Sequence, residues 1–377
     1  MWQTFHDAWW RLVTQSQPAS FLDTFACGAL RVCSTAYQCA VALRNGAYDS
    51  GWARQRQLPC RVISVGNITV GGTGKTACVE LIVRRLQAMG RRVAVLSRGY
   101  GGSRRLYWLR WQDGTLFING QADASIQDLA DEPRLLARHL DGVPVVVAAD
   151  RVQAGQFACR SFGVDTVVLD DGFQHRRLRR DCDIVLIHAL MPLGGWMLFP
   201  RGPMREPLDS LRRAQVMIVT KADEALEKLG ALKERLHAMS PEATILSSVH
   251  EPSHLVDGLT QRPLDLKQLA RVRVGLLSSI GDPHGFESTV QRLGASIDWH
   301  AQFPDHHCYT QKDWLSIRLR TEQRCQTLLT TEKDWVRLAS FAVAEPPAVP
   351  LWVLGIRMTM LSGERALDDR LARLYAG

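Results

Sequence analysis

The chain has 377 residues, 46% hydrophobic and 22% charged, a balance that excludes disorder and fibrous folds and gives enough length for two domains with separate cores. A net charge of +8 and a pI near 9.2 call for an anionic partner: phosphate, a membrane surface or nucleic acid. Nine cysteines without C-x-x-C pairing, such as Cys27, Cys33 and Cys39 in an apolar run, read as thiols of a reducing compartment rather than a disulfide frame or a zinc site.

The first element is a leader, residues 1–56. Its start, with Trp2, Trp9, Trp10 and Arg11, lacks the basic end and compact apolar core of a cleavable signal, so a cytoplasmic location is expected. Between Asp23 and Arg44 only Arg31 is charged, over a length close to that needed to cross a bilayer. The stretch is rich in Ala, Cys, Ser and Thr rather than Leu, and Arg31 opposes insertion. We read it as a helix lying on the membrane face, with the aromatic cluster before it and Arg44, Arg54, Arg56 and Arg61 after it at anionic headgroups. The competing reading is an amphipathic helix packed on its own domain.

Short apolar runs then alternate with helical patterns: Val62–Val65, Val93–Leu96, Val143–Ala149, Thr166–Leu169, Ile184–Ile187 and Val216–Val219. This rhythm predicts a parallel sheet covered on both faces. Residues 105–120 break it with a hairpin around Asp113-Gly114, expected to leave the main sheet. Pro252, Gly258 and Pro263 mark a linker over 251–271, separating a domain at 57–250 from a second lobe at 272–377. In that lobe Val274–Leu277, Thr327–Thr330 and Leu351–Leu354 read as strands, and Phe286–Leu293 and Lys312–Arg320 as helices. The fold class is therefore α/β, with a mainly parallel sheet flanked by helices, a smaller α/β lobe and an N-terminal membrane-associated helix.

The chemistry concentrates in four places. Gly71-Gly72-Thr73-Gly74-Lys75-Thr76 sits between a strand pattern and a helix pattern, where glycines turn N–H groups toward phosphate, Lys75 reaches the β and γ phosphates and Thr76 holds Mg²⁺. A strict G-x-x-x-x-G-K-[ST] loop has glycine where this chain has Thr69, so this is a variant P-loop. Asp170 and Asp171 end a strand, where an open α/β sheet binds its ligand and where a phosphate loop needs an acid for its metal. Arg176, Arg177, Arg179 and Arg180 either grip phosphate or form a solvated basic face. The rigid loop from Pro200 to Pro207 holds Arg205 and Glu206. Thr220-Lys221-Ala222-Asp223 also fits the guanine-holding [NT]-K-x-D pattern, so a GTPase or assembly factor is the rival reading. A nucleic-acid binder lacks a zinc-finger or RNA-binding aromatic pattern.

Six stretches together resemble the tetraacyldisaccharide 4'-kinases: VGNITVGGTGKT, Asp131-Glu132-Pro133, DDGFQHRRLRRDCDIVLI, PRGPMREPL, FPDHHCYT and TTEKD, in that order over about residues 60 to 335. The resemblance implies a P-loop kinase that transfers the γ-phosphate of ATP to the 4'-hydroxyl of a tetraacyl glucosamine disaccharide 1-phosphate in lipid A biosynthesis, at the cytoplasmic face of the inner membrane; a monomer is expected. It implies that Asp131 takes the hydroxyl proton, assisted by His306 with His307 adjacent, and that Glu132, Asp170 and Asp171 surround Mg²⁺ and the nucleotide. It further places His175, Arg205 and Glu206 near the substrate. Read from the residues alone, Asp131 is equally an N-cap for the helix after it. A histidine in the second lobe serves this chemistry only if the lobes close during turnover.

Overall fold

The computed structural model describes residues 21–99, 106–122, 129–190 and 197–376. The leader's tryptophan cluster and Arg105 lie outside them. Two compact units emerge, one of Met1–Asp128, Ala137–Val249 and Met358–Gly377, the other of Leu129–Leu136 and His250–Arg357.

The strands are β1 (Arg61–Asn67), β2 (Val93–Ser97), β3 (Tyr107–Gln112), β4 (Thr115–Ile118), β5 (Gln121–Ala122), β6 (Val145–Val147), β7 (Thr166–Asp170), β8 (Cys182–His188), β9 (Val216–Thr220), β10 (Thr244–Asp257), β11 (Pro263–Leu264), β12 (Arg273–Ser278), β13 (Ser296–Gln302), β14 (Thr327–Thr331) and β15 (Leu351–Ser362). The helices are α1 (Phe21–Asp49), α2 (Lys75–Ala88), α3 (Asp131–His139), α4 (Arg151–Phe162), α5 (Leu226–Met239), α6 (Pro283–Arg292), α7 (Gln311–Arg324), α8 (Glu332–Ala344) and α9 (Glu364–Arg373).

In the first unit β1 lies between β7 and β8. Beyond β7 come β2 and β6, beyond β8 come β9 and the start of β10, and all of these pair in parallel. Central parallel strands are buried on both faces, which is why β7 and β9 carry continuous apolar runs and β1 sets only the small Ser64 among Val62, Ile63 and Val65. Alternate side chains feed two cores: Val62, Leu96, Val167 and Leu169 pack with Ala154 and Ala158 of α4, and Val185, Ile187, Met217 and Val219 with Leu232 and Leu236 of α5. α2 buries Cys78, Val79, Ile82, Val83 and Leu86, a one-sided stripe at helical spacing worth about 1.5–3 kcal/mol for each large apolar side chain.

The hairpin does not leave the sheet. β3 pairs antiparallel with β6, so β3, β4 and β5 extend the sheet at its edge; Tyr107 and Leu109 bury their side chains there, a gain that an isolated hairpin could not make. The stretch expected as a linker is also ordered structure. β10 continues through Pro252 to Asp257, β11 pairs back on it, and Leu255, Leu264, Leu266 and Leu269 join an apolar core with β12 and α6.

In the second unit β12 lies between β13 and β14, and β14 pairs with β15, all parallel. Trp314 of α7 and Leu338 of α8 are fully buried against Leu328, Leu351 and Val353.

α1 is two-sided. Ser34, Tyr37, Val41 and Asn45 face the first unit: the Ser34 hydroxyl donates to the Leu198 carbonyl at 2.9 Å and the Tyr37 hydroxyl to the Arg205 carbonyl at 2.9 Å. Phe25, Val32 and Leu43, separated by seven and eleven residues, fall on one line at 100° per residue and are all exposed. Among the described residues no helix is long and apolar enough to cross a membrane.

Candidate active site

β1 delivers the glycine loop at its C-terminal end, and α2 starts at Lys75. Gly71 and Gly74 take φ of 110° and 83°, values that a Cβ resists, so the glycines are required by the turn. The first turn of α2 receives no side-chain cap, and its orphan N–H groups and positive dipole end suit an anion. The loop is pinned from below: the Asn67 amide donates to Thr73 Oγ1 at 2.9 Å, and the Gln174 amide donates to the Asn67 carbonyl at 2.9 Å. The rigid loop after Pro200 is stitched beside it, Val70 N–H donating to the Pro203 carbonyl at 2.7 Å and Arg205 N–H to the Ile68 carbonyl at 2.6 Å.

β7 brings Asp170 and Asp171 to the same end of the sheet. Asp170 is buried and accepts from the Ser97 hydroxyl at 3.3 Å. Asp171 sits at φ 51°, accepts from Arg205 Nη1 at 2.8 and 2.9 Å, and lies 4.0 Å from Lys75 Nζ. Burial opposes its ionisation, but Lys75, Arg205 and Arg151 outweigh burial and hold the carboxyl below the usual range. Beside this pair, burial and the Arg151 guanidinium push the His175 imidazole down to about 4, so it is neutral at physiological pH. Its Nε2 is buried without a protein partner, the kind of orphan that a ligand or ordered water satisfies.

Two expectations change here. Glu206 is fully buried, and its carboxylate accepts from Arg44 at 3.1 Å, Asn45 at 3.1 Å and Arg213 at 2.8 Å, so it ties α1 to the loop and does not face a substrate. The arginine run divides: Arg176 is buried on the Asn45 carbonyl and Asp49, and Arg180 binds Asp183, whereas Arg177, paired with Asp150, and Arg179 are exposed to solvent. Lys221, in the rival guanine motif, takes φ 54° and lies 3.7 Å from Glu224.

The second unit assembles its own constellation. Asp131 and Glu132 open α3, and the FPDHH turn brings His306 to them at φ 61°, an uncommon conformation for a non-glycine residue and one that recurs at functional sites. His306 Nδ1 lies 3.9 Å from Asp131 Oδ2 and its Nε2 lies 3.8 Å from Glu132 Oε1. His307 turns elsewhere, with Nε2 3.0 Å from Asp313 and its ring stacked on Phe303, so of the two histidines His306 is the one at Asp131. Glu132 therefore stands with His306 and Lys333.

Two cations from α8 complete this group, and sequence reading did not single them out. Arg337, nearly buried, places Nε 3.4 Å from Asp131 Oδ2 while its other nitrogens bind Ser279, the His307 carbonyl and Asp334. Lys333 Nζ lies 3.0 Å from Asp305 Oδ1, 3.2 Å from His306 Nε2 and 3.8 Å from Glu132 Oε1. Lys333 stands inside TTEKD, so the signal was present without a partner to give it meaning.

A phosphate loop facing an ionised aspartate, and a carboxylate–imidazole pair, are the parts of a kinase with an alcohol acceptor. A family model described as tetraacyldisaccharide-1-P 4'-kinase matches residues 27–376. The tetraacyldisaccharide 4'-kinase of Syntrophus aciditrophicus (strain SB) is 40% identical over 337 residues, covering 87% of this chain and 88% of its own. That of Anaeromyxobacter sp. (strain K) is 38% identical over 370 residues, covering 97% and 94%. The solved "apo" form of LpxK from Aquifex aeolicus in complex with ATP superposes with a TM-score of 0.70 at 27% identity, over 93% of this chain and 99% of that one. The nearly full-length match at such identity, together with the agreement in fold, means that the chain belongs to the tetraacyldisaccharide 4'-kinase family.

Proposed function

We propose that this kinase holds ATP on the loop Gly71–Thr76 and activates its acceptor alcohol with the Asp131–His306 pair. The reaction is ATP-dependent phosphorylation of a tetraacyldisaccharide at its 4'-hydroxyl, and family membership sets aside the guanine reading of Thr220–Asp223. The observation that carries the proposed roles is the approach of His306 to Asp131, residues far apart in sequence.

Phosphoryl transfer has little covalent chemistry for the protein to do, so catalysis is positioning and charge neutralisation. Loop N–H groups and Lys75 bind the terminal phosphates, and Arg205 keeps Asp171 ionised and fixed beside Lys75. The Asp131 carboxylate accepts the proton of the 4'-hydroxyl as the oxygen attacks phosphorus, and His306 orients that carboxylate. His175 offers its orphaned Nε2 to the bound substrates, and Arg205, held on Asp171, adds positive charge at the same end of the sheet.

Mg²⁺ fits the residues present. Thr76 and Asp170 offer the hard oxygen donors this ion takes, and among the described residues no three His, Cys, Asp or Glu are spaced to hold a metal unaided. That suits an ion that draws most ligands from phosphate and water, and when bound it supplies charge neutralisation at the phosphates. Glu132, engaged with Lys333, is the weaker ligand.

A lipid acceptor requires the enzyme to meet a membrane, and the exposed line of Phe25, Val32 and Leu43 on α1 supports docking at the cytoplasmic face of the inner membrane. The test is incubation with radiolabelled ATP and the tetraacyldisaccharide 1-phosphate, comparing the native chain with Asp131→Asn and His306→Gln. The expected result is a labelled lipid, with kcat reduced at least a hundredfold in Asp131→Asn and the KM for ATP nearly unchanged. Turnover near normal in both variants would refute the pair.

A further inference from the structure

The geometry points to a role for Lys333 that goes beyond charge: we propose that it is a positioning residue that sets the tautomer of His306. This rests on the Asp131–His306 reading above. An ammonium donates and never accepts, and Lys333 Nζ lies 3.2 Å from His306 Nε2, so that nitrogen must present its lone pair. In neutral His306 the proton then sits on Nδ1, the nitrogen that faces Asp131 Oδ2 at 3.9 Å. The ring thereby turns its N–H side toward the base carboxylate, and at this distance, beyond hydrogen-bond reach, it supports the carboxylate through its dipole.

The alternative tautomer has its own attractions, which is why Lys333 is needed. Nε2 also faces two carboxylates, Glu132 Oε1 at 3.8 Å and Asp305 Oδ1 at 3.9 Å, both beyond hydrogen-bond reach but both favouring a proton on that side. Without the ammonium, the imidazole would carry its proton toward Glu132 and Asp305 and turn a bare lone pair toward the negative Asp131. Lys333 prevents this twice over. It occupies the Nε2 lone pair, and its contacts with Asp305 at 3.0 Å and Glu132 at 3.8 Å offset the two competing charges. Arg337 does not substitute, because its Nε approaches Asp131 itself and its remaining nitrogens are engaged by Ser279, Asp334 and the His307 carbonyl.

The test reads the proton directly. In full-length protein labelled with ¹⁵N-histidine, at a pH well above the ordinary histidine range, the two imidazole nitrogens of His306 are assigned by their disappearance in His306→Gln. The native chain is expected to show Nδ1 protonated and Nε2 bare. Lys333→Met is expected to move the proton to Nε2, with kcat down about a hundred- to a thousandfold, since a wrong tautomer behind a base costs up to about 10⁴ elsewhere. The KM for ATP should stay within about threefold. Lys333→Arg, still a donor, should keep the native tautomer and most of the turnover.

A native ring protonated at Nε2 overturns the proposal without any variant. So does an unchanged tautomer or unchanged kcat in Lys333→Met, and so does a loss confined to KM, which would make Lys333 a substrate-binding residue. Asp131→Asn separates the two levels. If that variant turns over normally the base assignment fails, whereas an inactive Asp131→Asn with an indifferent Lys333→Met sinks only the tautomer.

Discussion

Replacing Glu206 by alanine separates architecture from catalysis. The native carboxylate has no exposed surface and joins three partners, of which Arg213 is 18% exposed and Arg44 is 40% exposed. Burial opposes its charge, but Arg213, Ser210 and Arg44 hold its pKa low, so it is ionised in the fold. Removing it strands the Arg213 guanidinium against the Phe173 ring and leaves Asn45 with one bond fewer. Breaking a buried ion pair from one side costs about 3–5 kcal/mol, whereas the share of Arg44, half in solvent, is below about 1 kcal/mol. A net loss of about 3 kcal/mol lowers Tm by roughly 6 to 12 °C for a unit of this size. Calorimetry gives the shift, and parallel kinetics should show an ATP KM within about threefold of native. A variant with unchanged Tm and a large rise in lipid KM would refute the reasoning and return Glu206 to the substrate.

Further outcomes follow from the same geometry. Lys75→Ala should lower kcat by at least about a thousandfold, because the γ-phosphate loses its main protein cation and Asp171 loses a counter-charge; near-normal single-turnover rates would overturn the loop assignment. The His175 imidazole is depressed from 6.5 to about 4, so the unfolded chain binds its proton first. Its stabilising share is complete above pH 6.5 and is lost as pH falls toward 4, on the order of 3 kcal/mol. Urea titrations across that window should therefore show a shallower acid slope in His175→Gln, and an identical slope would contradict the burial argument. Phe25→Ser with Val32→Ser should shift the protein from sedimenting vesicles to the supernatant without changing Tm, and unchanged sedimentation would exclude that face of α1 as the anchor.

The central strands were legible because parallel strands buried on both faces need apolar runs, which β7, β8 and β9 have unbroken and β1 has around Ser64. β13 was not, because Ser296-Ile297-Asp298-Trp299-His300 alternates polar and apolar residues. β10 was hidden by Pro252, which local rules treat as a break although pairing carries the strand past it. The phosphate loop and the two aspartates were readable from spacing alone, since a local backbone shape dictates them. Asp131 needed the family resemblance, and choosing His306 over His307 needed coordinates, because adjacent residues differ only in where the backbone points them. Glu206 and Arg176 were misjudged for a common reason: a charge beside a motif looks functional until its partners on a distant helix, Arg44, Asn45 and Asp49, are known.

The double duty of α1 constrains how this enzyme can be handled. Cutting the chain before Arg54 removes Arg44, Asn45 and Asp49 together with the exposed apolar side chains Phe25, Val32 and Leu43, which abandons Glu206 and Arg176 inside the protein and takes away the Tyr37 hydroxyl that steadies the Arg205 backbone. Arg205 in turn grips Asp171. Deleting this segment therefore damages the nucleotide cradle by the same stroke, and the role of its outer stripe has to be probed by repainting it one side chain at a time.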